Sequence, residues 1–140
     1  MSTPIIRLAD YSEIPDVIEI LEELGLDMED LDEDDWMLAL VKGEVVGVAR
    51  LRYYDDACEL ASLGVLEDFR NQGIGRGIAK ALLNDTETKQ VYTVTEIPEY
   101  FARLGFANTD SFPESISKKL QRCKTELNCS APAVLKIDLQ

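Results

Sequence analysis

Histidine does not occur anywhere in the 140 residues. Its absence removes the usual base of Ser–His–Asp and Cys–His nucleophile schemes and rules out HExxH metal sites. Proton transfer must then fall to Glu, Asp, Tyr, Lys, Cys or water. Cysteine is scarce: Cys58, Cys123 and Cys129 form an odd set with no CxxC pair. That pattern argues against a disulfide framework and against a zinc site, so no metal is expected. No apolar run approaches the roughly 20 residues that cross a bilayer. The N-terminus, "MSTPIIRLAD", has no basic segment followed by an apolar one, so no signal peptide is expected and the cytoplasm is the default location. Positive charge is in short supply, with 14 Lys and Arg against 27 Asp and Glu, a net −13. Such a chain repels nucleic-acid phosphates and anionic lipid, and neither is expected as a partner.

What is present fits one globular domain over residues 1–140, with 46% apolar and 29% charged residues. "PIIRLA" predicts a first strand. A helix is expected from Asp10, with Asp10 and Glu13 as a capping box, Ile14, Val17, Ile18, Leu21 and Leu24 at helical spacing, and Gly25 as its stop. The acidic "LDMEDLDEDD" is a short helix or a loop. "WMLALVKGEVVGVARLRYY" reads as a β-hairpin turning at "KGE". "DDA" turns the chain into the strand "CELASLGVL". A helix to about Asn84 follows, then the strand "QVYTVTE", a short helix in "PEYFARLGF", a turn and helix in "ANTDSFPESISKKLQRCKTEL", and a closing strand in "APAVLKIDL". Early hairpins with one central β-α-β crossover imply a mixed α/β sheet with helices packed on it.

The segment "FRNQGIGRGIAKALL" places Gly73, Gly75 and Gly77 at the start of a predicted helix. Helix N-termini carry unpaired N–H groups and partial positive charge, and they hold phosphate where the backbone can come close. Glycine permits that approach, and Arg70 adds a fixed charge. A Walker loop would need a GxxxxGK[ST] sequence, which is missing. A GxGxxG fingerprint fails as well, because its third position is Ile78 counted from Gly73 and Lys80 counted from Gly75. The pattern R-x-x-G-x-G/A behind a strand does match, at Arg70-Asn71-Gln72-Gly73-Ile74-Gly75. A glycine-rich turn without a ligand is the plainer alternative.

These residues resemble the core of the GNAT superfamily of N-acetyltransferases, which use acetyl-CoA. "ELASLGVLEDFRNQGIGRGIAKALL" is similar to the family's strand-loop-helix core, and "EYFARLGF" to its later helix and turn. The resemblance implies a mixed, mostly antiparallel sheet whose central parallel strands splay apart, with helices on both faces. It implies that the backbone N–H groups of Gln72, Gly73, Ile74, Gly75 and Arg76 hold the pyrophosphate, with Arg70 and Asn71 opening the loop. It further implies that Leu63, Gly64 and Val65 meet the pantetheine arm and acetyl group through their backbone. Gly64 is a candidate for the bulge found in this strand, where an N–H could stabilise the oxyanion. Dimerisation is common in the family, which makes a homodimer an option.

An alkyl ammonium titrates near about 10.4, so acetyl transfer to an amine needs a base. Glu59, six positions before Val65, matches the place where some family members keep a catalytic glutamate; the plainer reading is a solvent-facing carboxylate. Glu96 and Glu99 are weaker candidates, since carboxylates at a helix start also serve the dipole. The family's usual acid, a tyrosine four residues before the glycine of Y-x-x-x-G-F, is replaced here by Phe101. Tyr100 would point about 100° away around an ideal helix, so Tyr92, Tyr100 or water is left to protonate the thiolate. A phenylalanine there is similar to the amino-acid N-acetyltransferase branch, with its glutamate and arsenic-resistance-associated members.

Two features bear on the acceptor. Asp27 to Asp35 holds seven acidic residues in nine, either a lure for cationic amines or a solvated segment. Arg50 and Arg52 share one face of a predicted strand and could hold an acceptor carboxylate, or could simply be surface charges. Cys58 points away from Glu59's face and reads as packing. The leading expectation is N-acetylation of a small-molecule primary amine, an amino acid among the options, by direct attack in a ternary complex. The alternatives are a protein N-acetyltransferase and a non-catalytic acyl-CoA sensor.

Overall fold

A computed structural model of the chain describes residues 3–31 and 35–139. Among the described residues, seven strands, β1 (Ile5–Leu8), β2 (Asp35–Val41), β3 (Glu44–Tyr53), β4 (Cys58–Val65), β5 (Gln90–Thr95), β6 (Ala107–Asn108) and β7 (Ala133–Asp138), follow the order β1-β2-β3-β4-β5-β7-β6. The sheet is mostly antiparallel, and β4 (Cys58–Val65) and β5 (Gln90–Thr95) form its parallel pair. The mixed α/β class expected from the sequence is therefore the observed one. Contacts divide the chain into two compact units, Met1–Arg52 with Ala61–Thr86, and Tyr53–Leu60 with Glu87–Gln140.

In the first unit, β1 (Ile5–Leu8) runs antiparallel to β2 (Asp35–Val41), which pairs with β3 (Glu44–Tyr53). The hairpin turns on two residues, Lys42 (φ 52°) and Gly43 (φ 82°). Left-handed conformation at both central positions suits the right-handed strand twist. Helix α1 (Ile14–Leu24) buries Val17, Ile20 and Leu21 against Trp36, Leu38, Leu40 and Val48. It stops at Gly25, which takes φ 66°. Helix α2 (Ile74–Asp85) meets the other face of the hairpin. A Cβ on Gly47 would lie 2.8 Å from Ile78, while the adjacent Val48 packs into the α1 cluster. Successive strand residues point to opposite faces, so α1 and α2 cover opposite sides of β2–β3.

In the second unit, β5 pairs antiparallel with β7 (Ala133–Asp138), which also pairs with the two-residue strand β6 (Ala107–Asn108). Helix α3 (Pro98–Arg103) precedes β6, and α4 (Glu114–Thr125) places Ile116 in a cluster with Tyr92 and Val134. Cys123 and Cys129 are joined by a disulfide, Cα–Cα 5.4 Å, a pairing that the reading against a disulfide framework did not foresee. After α4 the chain folds back through Asn128 (φ 54°), and the Cys129 N–H donates to the Cys123 carbonyl at 2.9 Å. That return path brings together two thiols separated by six positions.

The start of α1 is fastened to β1. Arg7 donates to both oxygens of Glu13 at 2.7 and 2.8 Å, and the Asp10 N–H donates to the same carboxylate at 2.8 Å. The expected box is thus built by Glu13, at the end of a 3-10 turn over Tyr11–Glu13. The Arg7 hydrogen bonds, helped by the Asp10 amide, lower the Glu13 carboxyl to about 2. A depressed folded-state pKa contributes stability above the unfolded value, and that contribution fades as pH falls through the folded value. We expect the melting-temperature advantage of wild type over Glu13→Gln, present at neutral pH, to vanish between about pH 4.5 and about pH 2. An advantage independent of pH would contradict this account.

Candidate active site

The glycine-bearing loop joins the end of β4 to α2. After a 3-10 turn at Glu67–Phe69, the Arg70 Nε–H donates to the Val65 carbonyl at 2.9 Å, tying the loop to the strand it leaves. Asn71 (φ 65°) and Gly73 (φ 79°) are both left-handed, a conformation that helps backbone N–H groups converge into an anion-binding concavity. Gly73 is the N-cap of α2, no side chain caps the helix, and its first turn carries no acidic residue. Gly77 N–H to Gly73 O, 3.0 Å, is a helical i→i−4 bond, and the amides ahead of it in the first turn have no partner within the helix. Asn71, Gln72, Gly73 and Arg76 are exposed, while Ile74 and Ile78 anchor the helix in the core.

The glycines divide in purpose. A Cβ on Gly73 would meet nothing within 4 Å, so its φ of 79° is what requires glycine. A Cβ on Gly77 would lie 2.6 Å from the Ile6 Cδ1, so that glycine lets α2 approach β1 and leaves the anion site to the others.

Upstream, the irregular residue in β4 is Ser62 (φ 55°), two positions before the glycine expected to mark it. Gly64 serves close packing instead, since a Cβ there would sit 2.5 Å from Leu26 and 2.8 Å from Leu24. The Ser62 hydroxyl donates to the Asp27 carbonyl at 2.9 Å, fixing the acidic segment to the strand that holds Leu63, Gly64 and Val65.

Arg50 and Arg52 are 0% and 4% exposed, which overturns the surface-charge reading. Their face of β3 is the α1 side, and the acidic segment lies over it. The Arg50 Nη1 donates to the Glu29 carbonyl at 2.7 Å and its Nη2 to the Asp27 carbonyl at 3.4 Å. The same guanidinium stacks 5.0 Å from the Trp36 ring and pairs with the Asp27 carboxylate at 3.8 Å. Arg52 pairs with Asp30 at 2.8 Å, Glu29 at 3.2 Å and Asp27 at 3.9 Å. The two sequence features that pointed to opposite acceptors form one ion-paired assembly, in which Asp27, Glu29 and Asp30 face Arg50 and Arg52. Positions 32–34 of the acidic segment lie outside the described residues.

In the second unit, Glu59 stands opposite Tyr92 in the parallel pair and is 1% exposed. Its Oε2 receives the Lys119 ammonium at 2.7 Å and its Oε1 the Tyr54 hydroxyl at 2.8 Å. Tyr54 also lines an open cavity of about 390 Å3 with Asp56, Lys89 and Tyr92. Sequence reasoning passed over Tyr54 and Lys119. Lys119 left a signal, because it shares the helical stripe of Ile116 and Cys123 that α4 buries. Among the other candidates, the Glu96 carboxylate accepts the Ser130 N–H, and Glu99 lies in the first turn of α3. Phe101 is a core residue, edge-to-face with Tyr100 at 5.3 Å and Phe106 at 5.7 Å. Burial pushes the Cys58 thiol up to about 11, which keeps it protonated and inert near neutrality. Among the described residues, no cluster of three or more His, Cys, Asp or Glu could hold a metal, and no helix is long and apolar enough to cross a membrane.

The acetyltransferase (GNAT) family model matches residues 7–106. An uncharacterised N-acetyltransferase of Chlorobaculum tepidum is 32% identical over 142 aligned positions, which cover 93% of this chain and 92% of that protein. Among solved structures, N-acetylglutamate synthase from Neisseria gonorrhoeae, complexed with coenzyme A and N-acetyl-glutamate, superposes with a TM-score of 0.78 at 21% identity. All of this chain is covered, and it spans 36% of that longer protein. Rv2747 from Mycobacterium tuberculosis, in a complex that contains CoA, gives 0.76 at 20% identity, covering 97% of this chain and 99% of its own.

Proposed function

The chain belongs to the acetyltransferase (GNAT) family and is an acyltransferase, and on that premise we propose that it transfers the acetyl group of acetyl-CoA to the primary amine of a small molecule, an amino acid in the first instance, by direct attack in a ternary complex. The observation that carries this reading is the α2 N-terminus: exposed left-handed loop residues, uncapped amides and no acid in the first turn. The CoA complexes of structural neighbours support the choice of ligand. The family match runs through both compact units, which supports treating residues 1–140 as one acetyltransferase domain.

The residues present fit such a ligand. Amides of Gln72, Gly73, Ile74, Gly75 and Arg76 hold the diphosphate, while Arg70 and Asn71 shape the entry to the loop. The backbone of Leu63, Gly64 and Val65 lies along the pantetheine arm, and an N–H of this strand takes the charge that develops on the carbonyl oxygen. Acetyl-CoA supplies an activated thioester: the C–N bond forms as the C–S bond breaks, the amine loses a proton, and coenzyme A leaves as a thiolate that takes a proton from water. Glu59 is the ultimate acceptor of that proton. Because its carboxylate is buried, the half-buried Tyr54 hydroxyl, bonded to it at 2.8 Å, is the link through which the proton arrives.

A thiol-release assay with acetyl-CoA and a panel of amino acids and polyamines tests this reading. Stoichiometric free CoA and acetylated product are expected with a member of the amino-acid set. Binding of acetyl-CoA, seen as a raised melting temperature, without CoA release from any amine would overturn it.

A further inference from the structure

We propose that Arg52 reads the acceptor's carboxylate, and that Glu29 and Asp30 occupy that place until an acceptor displaces them. The inference rests on the acetyl-transfer reading and assigns its substrate class: amines that also bear a carboxylate close to the nitrogen.

Arg50 and Arg52 are two residues apart on one face, but they are used differently. Arg50 is fixed by main-chain carbonyls of Glu29 and Asp27, by the Trp36 ring and by the buried Asp27 carboxylate at 3.8 Å, so it is a scaffold for the loop backbone. Arg52 is held by carboxylate side chains. Its own side chain is 5% exposed, yet Glu29 and Asp30 are 44% and 52% exposed. Ion pairs with one partner in water are weak and exchange readily. A buried guanidinium, in contrast, must keep a partner, because stripping it bare is costly. A carboxylate arriving from solvent satisfies both conditions, replacing like with like and leaving Arg52 compensated.

The loop geometry favours such an exchange. The loop backbone need not move, because Arg50 and Ser62 grip it at Asp27 and Glu29 through the carbonyls. Ser62 adjoins Leu63 on the strand assigned to the acetyl group. The carboxylate subsite is therefore tied to that strand through the Ser62 hydrogen bond to Asp27. Arginine matches carboxylate geometry with two parallel donors, which favours amino acids over simple amines.

The test uses the full chain with saturating acetyl-CoA and amino acids paired with their decarboxylated amines, such as lysine with cadaverine and arginine with agmatine. Within the best pair, kcat/KM should favour the amino acid by about tenfold or more, the worth of a charge-assisted pair. Glu29→Gln with Asp30→Asn should lower the amino acid's KM several-fold relative to that of its decarboxylated amine, because the internal competitor is gone. Arg52→Gln should erase the preference. Equal kcat/KM within every pair, or a double variant that weakens only the cationic amines, would overturn the proposal; the latter would mean that the acids recognise ammonium. If no acceptor releases CoA, the acetyl-transfer reading has failed, and calorimetry decides this one separately. Amino-acid binding tightened by the double variant supports it, and binding unaffected by the double variant and by Arg52→Gln overturns it.

Discussion

Replacing Gly75 with glutamate should abolish acetyl-CoA binding while leaving the free protein at least as stable as before. The two effects have opposite signs for one physical reason. The first turn of α2 carries unpaired amides and no acidic side chain. A carboxylate placed there interacts favourably with the helix dipole, by about 0.3–1 kcal/mol. The same carboxylate stands where a diphosphate must come. Like charges about 4 Å apart repel by roughly 4 kcal/mol at the effective dielectric of a protein surface. A loss of more than about 100-fold in affinity follows. Thermal melts read both effects at once: the apo melting temperature holds or rises, and the shift produced by acetyl-CoA disappears. Retained affinity would place the anion elsewhere.

The second large effect concerns the buried pair of Glu59 and Lys119, joined at 2.7 Å with side chains 1% and 8% exposed. Removing one member leaves an uncompensated buried charge, at a cost of about 3–5 kcal/mol. Lys119→Met should therefore lower the unfolding free energy by that amount, a large share of the ~5–15 kcal/mol available to a domain. Glu59→Gln combined with Lys119→Met should recover much of the loss, since neither charge is then stranded. Equal or additive losses in the single and double variants would deny the coupling. Glu59→Gln alone keeps a hydrogen-bond acceptor for the Lys119 ammonium but removes its counter-charge, so it too lowers stability, and its turnover is read where the variant is still folded. We expect kcat to fall on the order of 100-fold, the usual worth of a general base, with acetyl-CoA affinity nearly unchanged. Equal activity would remove Glu59 from the mechanism.

Much of the architecture is legible in local chemistry. The Lys42-Gly43 turn, the apolar stripe of α1 with its Gly25 stop, and the glycine-led start of α2 are each written in a few adjacent residues. What the sequence hides is decided by distant ones. Arg50 and Arg52 read either as a clamp for an acceptor carboxylate or as surface charges, because nothing local tells that Asp27, Glu29 and Asp30 fold over them more than 20 positions away. Ser62 gives no sign of its left-handed backbone, since serine has no preference for it and the glycine two positions on is explained by Leu24 and Leu26. The partner of Glu59 lies 60 positions ahead, on a helix whose buried stripe includes a lysine. The Cys123–Cys129 pairing depends on a reversal of the chain after α4, which cysteine counting cannot see.

The central claim is that the amides of residues 72–76 receive the diphosphate of CoA. Amide-resolved NMR titration of the full chain with CoA tests it most directly. Large shifts should be confined to residues 63–65 and 70–76 at low ligand concentration and be missing in the Gly75→Glu variant. Saturable binding that leaves the 72–76 amides undisturbed would contradict the account.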